Sequence, residues 1–145
     1  MNTPAAQFLE SEGGLTGTLC HPMPTLLIVE DHKILLSSLK SGLEEEGYRV
    51  LTASSGLEAL VVVRREPLDA IILDLHMPKL DGFEAIRLMR ADPRLANVPV
   101  MALTASAMMG DKEIALSAGF SSYLAKPIPL ATLRQEVQRL LQSAE

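Results

Sequence analysis

At 145 residues the chain is the size of one ordinary domain, and its 48% hydrophobic content is enough for a full core and too high for a disordered chain. Aromatics are 3% and Trp is absent, so the core must come from Leu, Ile, Val, Ala and Met, and a net charge of −5 argues against a nucleic-acid binder. Cys20 is the only cysteine, no apolar stretch reaches the ~20 residues that span a bilayer, and the N-terminus lacks a signal-peptide pattern; a soluble cytoplasmic protein is expected, with no membrane partner.

Residues 1–24 carry Gly13-Gly14, Gly17, Pro4, Pro22 and Pro24 with no sustained period, and are expected to be a flexible N-terminal arm or linker. From Thr25 strands and helices alternate. Leu26-Leu27-Ile28-Val29 reads as a buried strand ending on Glu30-Asp31. Ile34, Leu35, Leu39 and Leu43 recur at helical spacing until Gly47. Arg49–Ala53 is a second strand. Ser54 or Ser55 then caps a helix carrying Leu57, Leu60, Val61 and Arg64, with Glu58 placed for a capping box and Pro67 as the stop.

Ala70-Ile71-Ile72-Leu73 is a third buried strand, ending on Asp74. A loop with Pro78 follows, and Asp81-Gly82 opens a helix through Ile86 and Met89, Asp81 serving as its cap. The pattern predicts a fourth strand over Val98–Leu103 ending on Thr104, and a helix from about Met108 to Ser117 that stops at Gly119. Ser122–Ala125 is a fifth strand ending on Lys126. Leu130, Leu133, Val137, Leu140 and Leu141 mark a last amphipathic helix, so the domain is expected over 25–142 with a short tail at 143–145.

Five strands alternating with five helices predict an α/β fold, a doubly wound parallel sheet with helices on both faces and right-handed crossovers. Such folds bind ligands outside the carboxyl ends of the strands. Glu30, Asp31, Asp74, Thr104 and Lys126 all sit at those ends. Three carboxylates at one edge repel unless a cation neutralises them, and oxygen donors without Cys or clustered His suit a hard ion, magnesium. Asp31 and Asp74 are candidate direct ligands, with Glu30 acting through a water. Lys126 can pair a carboxylate at rest and a phosphoryl oxygen afterwards, and Thr104 can donate a hydroxyl to another. Asp74 is then a candidate nucleophile for aspartyl-phosphate formation.

At this point the chain resembles the response-regulator receiver family of two-component signalling, over roughly Thr25 to Leu141. The resemblance rests on Glu30-Asp31, on Leu73-Asp74-Leu75-His76-Met77-Pro78 with Asp81-Gly82, on Leu103-Thr104-Ala105 and on Lys126-Pro127, in order, each after its own strand. It implies a flavodoxin-like strand order 2-1-3-4-5, as in a chemotaxis-regulator-like single receiver. Asp74 would be the phosphoacceptor, supplied by a sensor histidine kinase or a histidine phosphotransfer protein. Magnesium would be held by Asp31, Asp74, the His76 backbone carbonyl and, through water, Glu30. Thr104 and Tyr123 would form the switch pair, and the Lys126-Pro127 bond would be cis. Output would pass to a downstream protein target, and the face from the fourth to the fifth helix could also form a homodimer. The chain would be a phosphoacceptor that assists its own phosphorylation and dephosphorylation, rather than a turnover enzyme.

Blander roles stand beside these. Glu30 and Asp31 alone suit a helix N-terminus, Asp74 a loop cap, Lys126 a solvated surface and Tyr123 a half-buried edge strand. His21, His32 and His76 lack metal-site spacing and read as surface residues, His76 giving its carbonyl and not its ring. Met108 and Met109 suit either an exposed partner face or helix filling. His76 and Ser106 stand at positions expected to tune phosphorylation and hydrolysis rates. No output domain is expected after the last helix, leaving a stand-alone receiver or a receiver module of a hybrid kinase or phosphorelay; the wording around Thr104 and Lys126 leans to the latter. A magnesium-dependent phosphatase with an Asp nucleophile is the alternative. It would want Asp-x-Asp after the first strand, whereas here the nucleophile follows the third and reads Asp74-Leu75-His76.

Overall fold

A computed structural model describes residues 23–105 and 111–143. Most of the arm, Cys20, His21, Ser106, Met108 and Met109 lie outside the described residues. Strands β1 (Thr25–Val29), β2 (Arg49–Ala53), β3 (Ala70–Asp74), β4 (Val100–Thr104) and β5 (Ser122–Ala125) alternate with helices α1 (Lys33–Glu44), α2 (Gly56–Arg65), α3 (Gly82–Arg90), α4 (Asp111–Ala118) and α5 (Leu130–Ser143). The sheet is parallel throughout and its order is β2-β1-β3-β4-β5, as expected. Among the described residues no helix is long and apolar enough to cross a membrane.

Strand periodicity explains the layering. Leu27, Val29, Ile71, Leu73, Val100 and Ala102 point to one face, where Ala59, Val63, Ala85, Ile86, Met89 and Ala115 of α2, α3 and α4 cover them. Leu26, Ile28, Ala70, Ile72, Met101 and Leu103 point to the other, under Leu39, Leu43, Leu133, Val137 and Leu140 of α1 and α5. With both faces covered, β1, β3 and β4 are buried along their whole length, so they read as continuous apolar runs. Phe83 meets Phe120 edge to face at 6.2 Å, linking α3 to the connection between α4 and β5.

Local signals place most helix ends. Asp81 accepts from the Glu84 N–H at 2.9 Å and caps α3. Ser55 caps α2 by accepting from the Glu58 N–H at 3.1 Å. The return bond differs from a capping box: Glu58 Oε1 accepts from the N–H and hydroxyl of Ser54, one residue earlier. Gly47 takes φ +95°, the left-handed conformation that lets the chain turn from α1 into β2. Pro24 belongs to the ordered fold, because its carbonyl accepts from the Arg49 N–H at 2.9 Å.

Several expectations need correction. The fourth strand begins at Val100 and not at Val98. The Val98 N–H bonds the Leu95 carbonyl and its own carbonyl takes Arg90 Nη1 at 2.7 Å, which removes it from the ladder. A 3-10 turn at Pro93–Leu95, capped by Asp92, precedes it and has no expected counterpart. Ile34, Leu57 and Val61 are not core residues: Ile34 is 78% exposed, and all three point outward on their helices.

Candidate functional site

The carboxyl ends of β1, β3, β4 and β5 converge because parallel pairing puts Val29 beside Leu73, Asp74 beside Leu103 and Thr104 beside Ala125. Glu30 continues β1, its N–H bonded to the Ala53 carbonyl at 3.1 Å, and its side chain turns inward until the residue is 1% exposed. Glu30 Oε2 accepts from the His32 N–H at 3.1 Å. Asp31 stays exposed. Asp74 closes β3 at 2% exposure, and its Oδ1 accepts from the His76 N–H at 3.1 Å. One carboxylate oxygen from each of Glu30, Asp31 and Asp74 falls within a cluster where all lie within 4.8 Å of one another.

Lys126 reaches this cluster from the end of β5, where its N–H bonds the Thr104 carbonyl at 2.7 Å and its peptide bond to Pro127 is cis. Its Nζ lies 2.9 Å from Glu30 Oε1 and 3.3 Å from Asp74 Oδ2. The contact with Asp74 has hydrogen-bond geometry, whereas Glu30 Oε1 has close charge contact without an aligned donor. The Glu30 carboxyl is held above its ordinary range, first by burial and also by the Asp74 charge, against the pull of Lys126 and the His32 N–H. Burial pulls the Lys126 ammonium down, yet Glu30 and Asp74 outweigh that effect and leave it raised. One ammonium therefore faces three carboxylates, two of them buried. Such an oxygen-only cluster, with a buried Oε1 lacking an aligned partner, fits a hard divalent cation and its waters.

Thr104, fully buried, ends β4 beside this cluster. Its Oγ1 lies 3.2 Å from Nε2 of His76, so the ring of His76 takes part in the site and not only its backbone. His76 is exposed, in keeping with the surface reading, and what needs correction is only the expectation that its ring plays no part. His32 is exposed as expected, but its Nδ1 also accepts from the Leu35 N–H at 3.3 Å and caps α1. Tyr123 is half-buried on the next strand and packs toward the α2–α4 side, on the face opposite Leu124.

The loop after β3 is packed by backbone. A Cβ on Gly82 would stand 2.7 Å from Leu75 Cα and 2.8 Å from the Asp74 carbonyl oxygen, so α3 can start this close to Asp74 only with glycine there. A Cβ on Gly56 would likewise stand 2.7 Å from the Leu80 carbonyl oxygen, which ties the same loop to α2.

Residues 26–138 match the family model described as the response regulator receiver domain. The chain belongs to the response regulator receiver family. It is 32% identical over 120 residues to the polar-differentiation response regulator DivK of Brucella ovis, covering 83% of this chain and 98% of that protein. The transcriptional regulatory protein PrrA of Mycobacterium bovis is 41% identical over 118 residues, which is 81% of this chain and 50% of PrrA. Among solved structures, the receiver domain of the sensor histidine kinase PA1611 from Pseudomonas aeruginosa superposes with TM-score 0.77 at 38% identity, covering 83% of this chain and 99% of that one. That receiver carries a magnesium ion coordinated in its active-site cleft. The family is one of two-component signalling, and the acidic cluster of Glu30, Asp31 and Asp74 could hold a metal ion.

Sequence reasoning missed Arg90, which donates to the carbonyls of Leu95, Val98 and Gly119 at 2.7–3.1 Å, before the amino ends of β4 and β5 and so at the opposite end of the strands from the acids. Its place in the last turn of α3 was a signal that it could cap backbone, but its partners come from two later loops.

Proposed function

We propose that this receiver accepts a phosphoryl group on Asp74 in the presence of magnesium and signals by binding another protein. The observation that carries the reading is Lys126 bridging Glu30 Oε1 and Asp74 Oδ2 beside a third carboxylate. An Asp74 oxygen attacks phosphorus, the bond to the donor's imidazole nitrogen breaks, and that nitrogen leaves with its electron pair. Lys126 exchanges Asp74 Oδ2 for a phosphoryl oxygen, and the Thr104 hydroxyl donates to a second. Asp31, Asp74, the His76 carbonyl and, through water, Glu30 would hold magnesium, which supplies charge neutralisation for the transferring group.

The donor is a phosphohistidine of a sensor kinase or phosphotransfer protein. Movement of Thr104 toward the phosphoryl group leaves space that the Tyr123 ring fills, altering the α4–β5–α5 face read by a target or a second copy. Ile114 and Leu116, exposed on α4, supply apolar area near that face. Residues 25–142, extended by Pro24 and Ser143 at their ends, act as the signalling unit in the cytoplasm.

The test is incubation with acetyl phosphate and magnesium, followed by intact-mass measurement. One acid-stable, base-labile phosphoryl group is expected, lost in Asp74→Asn; labelling that persists in that variant would overturn the site. Continuous hydrolysis of small phosphate esters would instead favour a phosphatase.

A further inference from the structure

His76 is bonded through its backbone and through its ring to two groups of the proposed phosphorylation site. Its backbone N–H donates to Asp74 Oδ1 at 3.1 Å, and its ring Nε2 lies 3.2 Å from Thr104 Oγ1. The first bond fixes where His76 starts, and the second fixes the Thr104 side chain from the solvent side. Thr104 is buried, with its carbonyl taken by the Lys126 N–H, so its hydroxyl can change partner only by side-chain rotation. A hydroxyl has one proton and two lone pairs, and in either ring tautomer the contact is lost when Oγ1 swings toward a group on Asp74.

We infer that His76 is a positioning residue: its ring holds the Thr104 hydroxyl in the resting pose and so opposes formation of the phosphoryl-bound state. This rests on the reading of Asp74 as phosphoacceptor. The histidine thereby sets the resting bias of the switch through a side chain at the mouth of the site, without touching the transferred group. A neutral hydrogen bond of this kind shifts an equilibrium by about three- to tenfold. That is enough to tune a switch and too little to abolish it.

The test is calorimetric titration of the whole chain with beryllofluoride at saturating magnesium. His76→Ala and His76→Phe keep the backbone N–H and carbonyl but remove the ring nitrogen, and both should tighten binding by about three- to tenfold. His76→Gln, whose amide can reach the position of Nε2, should return the affinity toward that of the parent. In a Thr104→Val background, where no hydroxyl remains to hold, His76→Phe should have no effect. Unchanged affinity in His76→Ala and His76→Phe overturns the inference, as does an effect that survives in Thr104→Val. Failure of the parent chain to bind beryllofluoride in an Asp74-dependent way overturns the phosphoacceptor reading itself and the inference with it. The two failures are therefore distinguishable.

Discussion

The Lys126 ammonium stands 2.9 Å from Glu30 Oε1, yet the Glu30 carboxyl remains held above its ordinary range. Burial and the neighbouring Asp74 charge outweigh the single cation, and the pocket is short of positive charge at rest. A site in this condition binds added cations at the expense of resting stability.

The pH dependence of stability follows from that balance. The folded chain holds the Glu30 proton more tightly than the unfolded chain does, so this group's contribution is full below the unfolded value. It is lost as pH rises through the raised folded value. Urea midpoints measured without divalent cations from about pH 4 to about pH 8 should fall more in the parent than in Glu30→Gln. Identical slopes in the two proteins would show that Glu30 does not carry the effect.

Magnesium should reverse the deficit. Binding to the folded state alone adds about 2.7 kcal/mol at one hundred times Kd, read as a rise in the thermal midpoint that chelator removes. Asp31→Asn should lose most of this rise and hold or slightly raise its midpoint without magnesium, because Asp31 is exposed and stands close to two buried carboxylates of like charge. A full magnesium response in that variant would remove Asp31 from the ligand set.

Lys126→Ala should fold yet respond weakly to acetyl phosphate. At about pH 8 without magnesium it should lose about 1–3 kcal/mol, since two buried carboxylates lose their shared cation. Added magnesium should recover part of that stability but not the phosphorylation rate. Parent-like labelling rates would argue that the ammonium does no more than hold the fold.

Gly82→Ala tests the packing of the acceptor loop. The new Cβ would meet backbone atoms of Asp74 and Leu75 at 2.7–2.8 Å, contacts that no side-chain rotation relieves. A loss of about 1–3 kcal/mol and slower labelling of Asp74 are expected from urea unfolding and acetyl phosphate kinetics. Parent-like values in both would mean that the loop shifts freely.

Arg90→Leu should cost about 3 kcal/mol or more, because backbone carbonyls from the turn before β4 and from the loop before β5 lose their donor together. Arg90→Lys should recover little, since a compact ammonium cannot reach the several carbonyls that a planar guanidinium spans. Once folded, either variant should still label at Asp74, which lies at the carboxyl end of β3, whereas the carbonyls held by Arg90 precede β4 and β5.

Much of this molecule is legible in one dimension. Runs such as Leu26–Val29 and Ala70–Leu73 are apolar at every position because the sheet is covered on both faces, and that pattern marks them as strands before any contact is known. Asp81 and Ser55 announce their helices through the N–H groups that they cap, a purely local matter. The acids and the lysine are visible because each directly follows an apolar run. Failures came where a distant partner decides. Val98 has the composition of a strand residue, but Arg90 claims its carbonyl. Ile34 fits a helical apolar pattern, but at its place on α1 no described residue covers it.

Asp74 shows the division most clearly. By itself the sequence determined the residue's chemistry and its place at the carboxyl end of a buried strand, through local periodicity and the order of motifs along the chain. Only the tertiary structure decided that Lys126, 52 residues away, meets its Oδ2, and that the His76 ring turns back onto Thr104. The physical reason is that side-chain type and period are written locally, while a hydrogen bond between strand ends depends on register and rotamer. Those are set only when both faces of the sheet are packed.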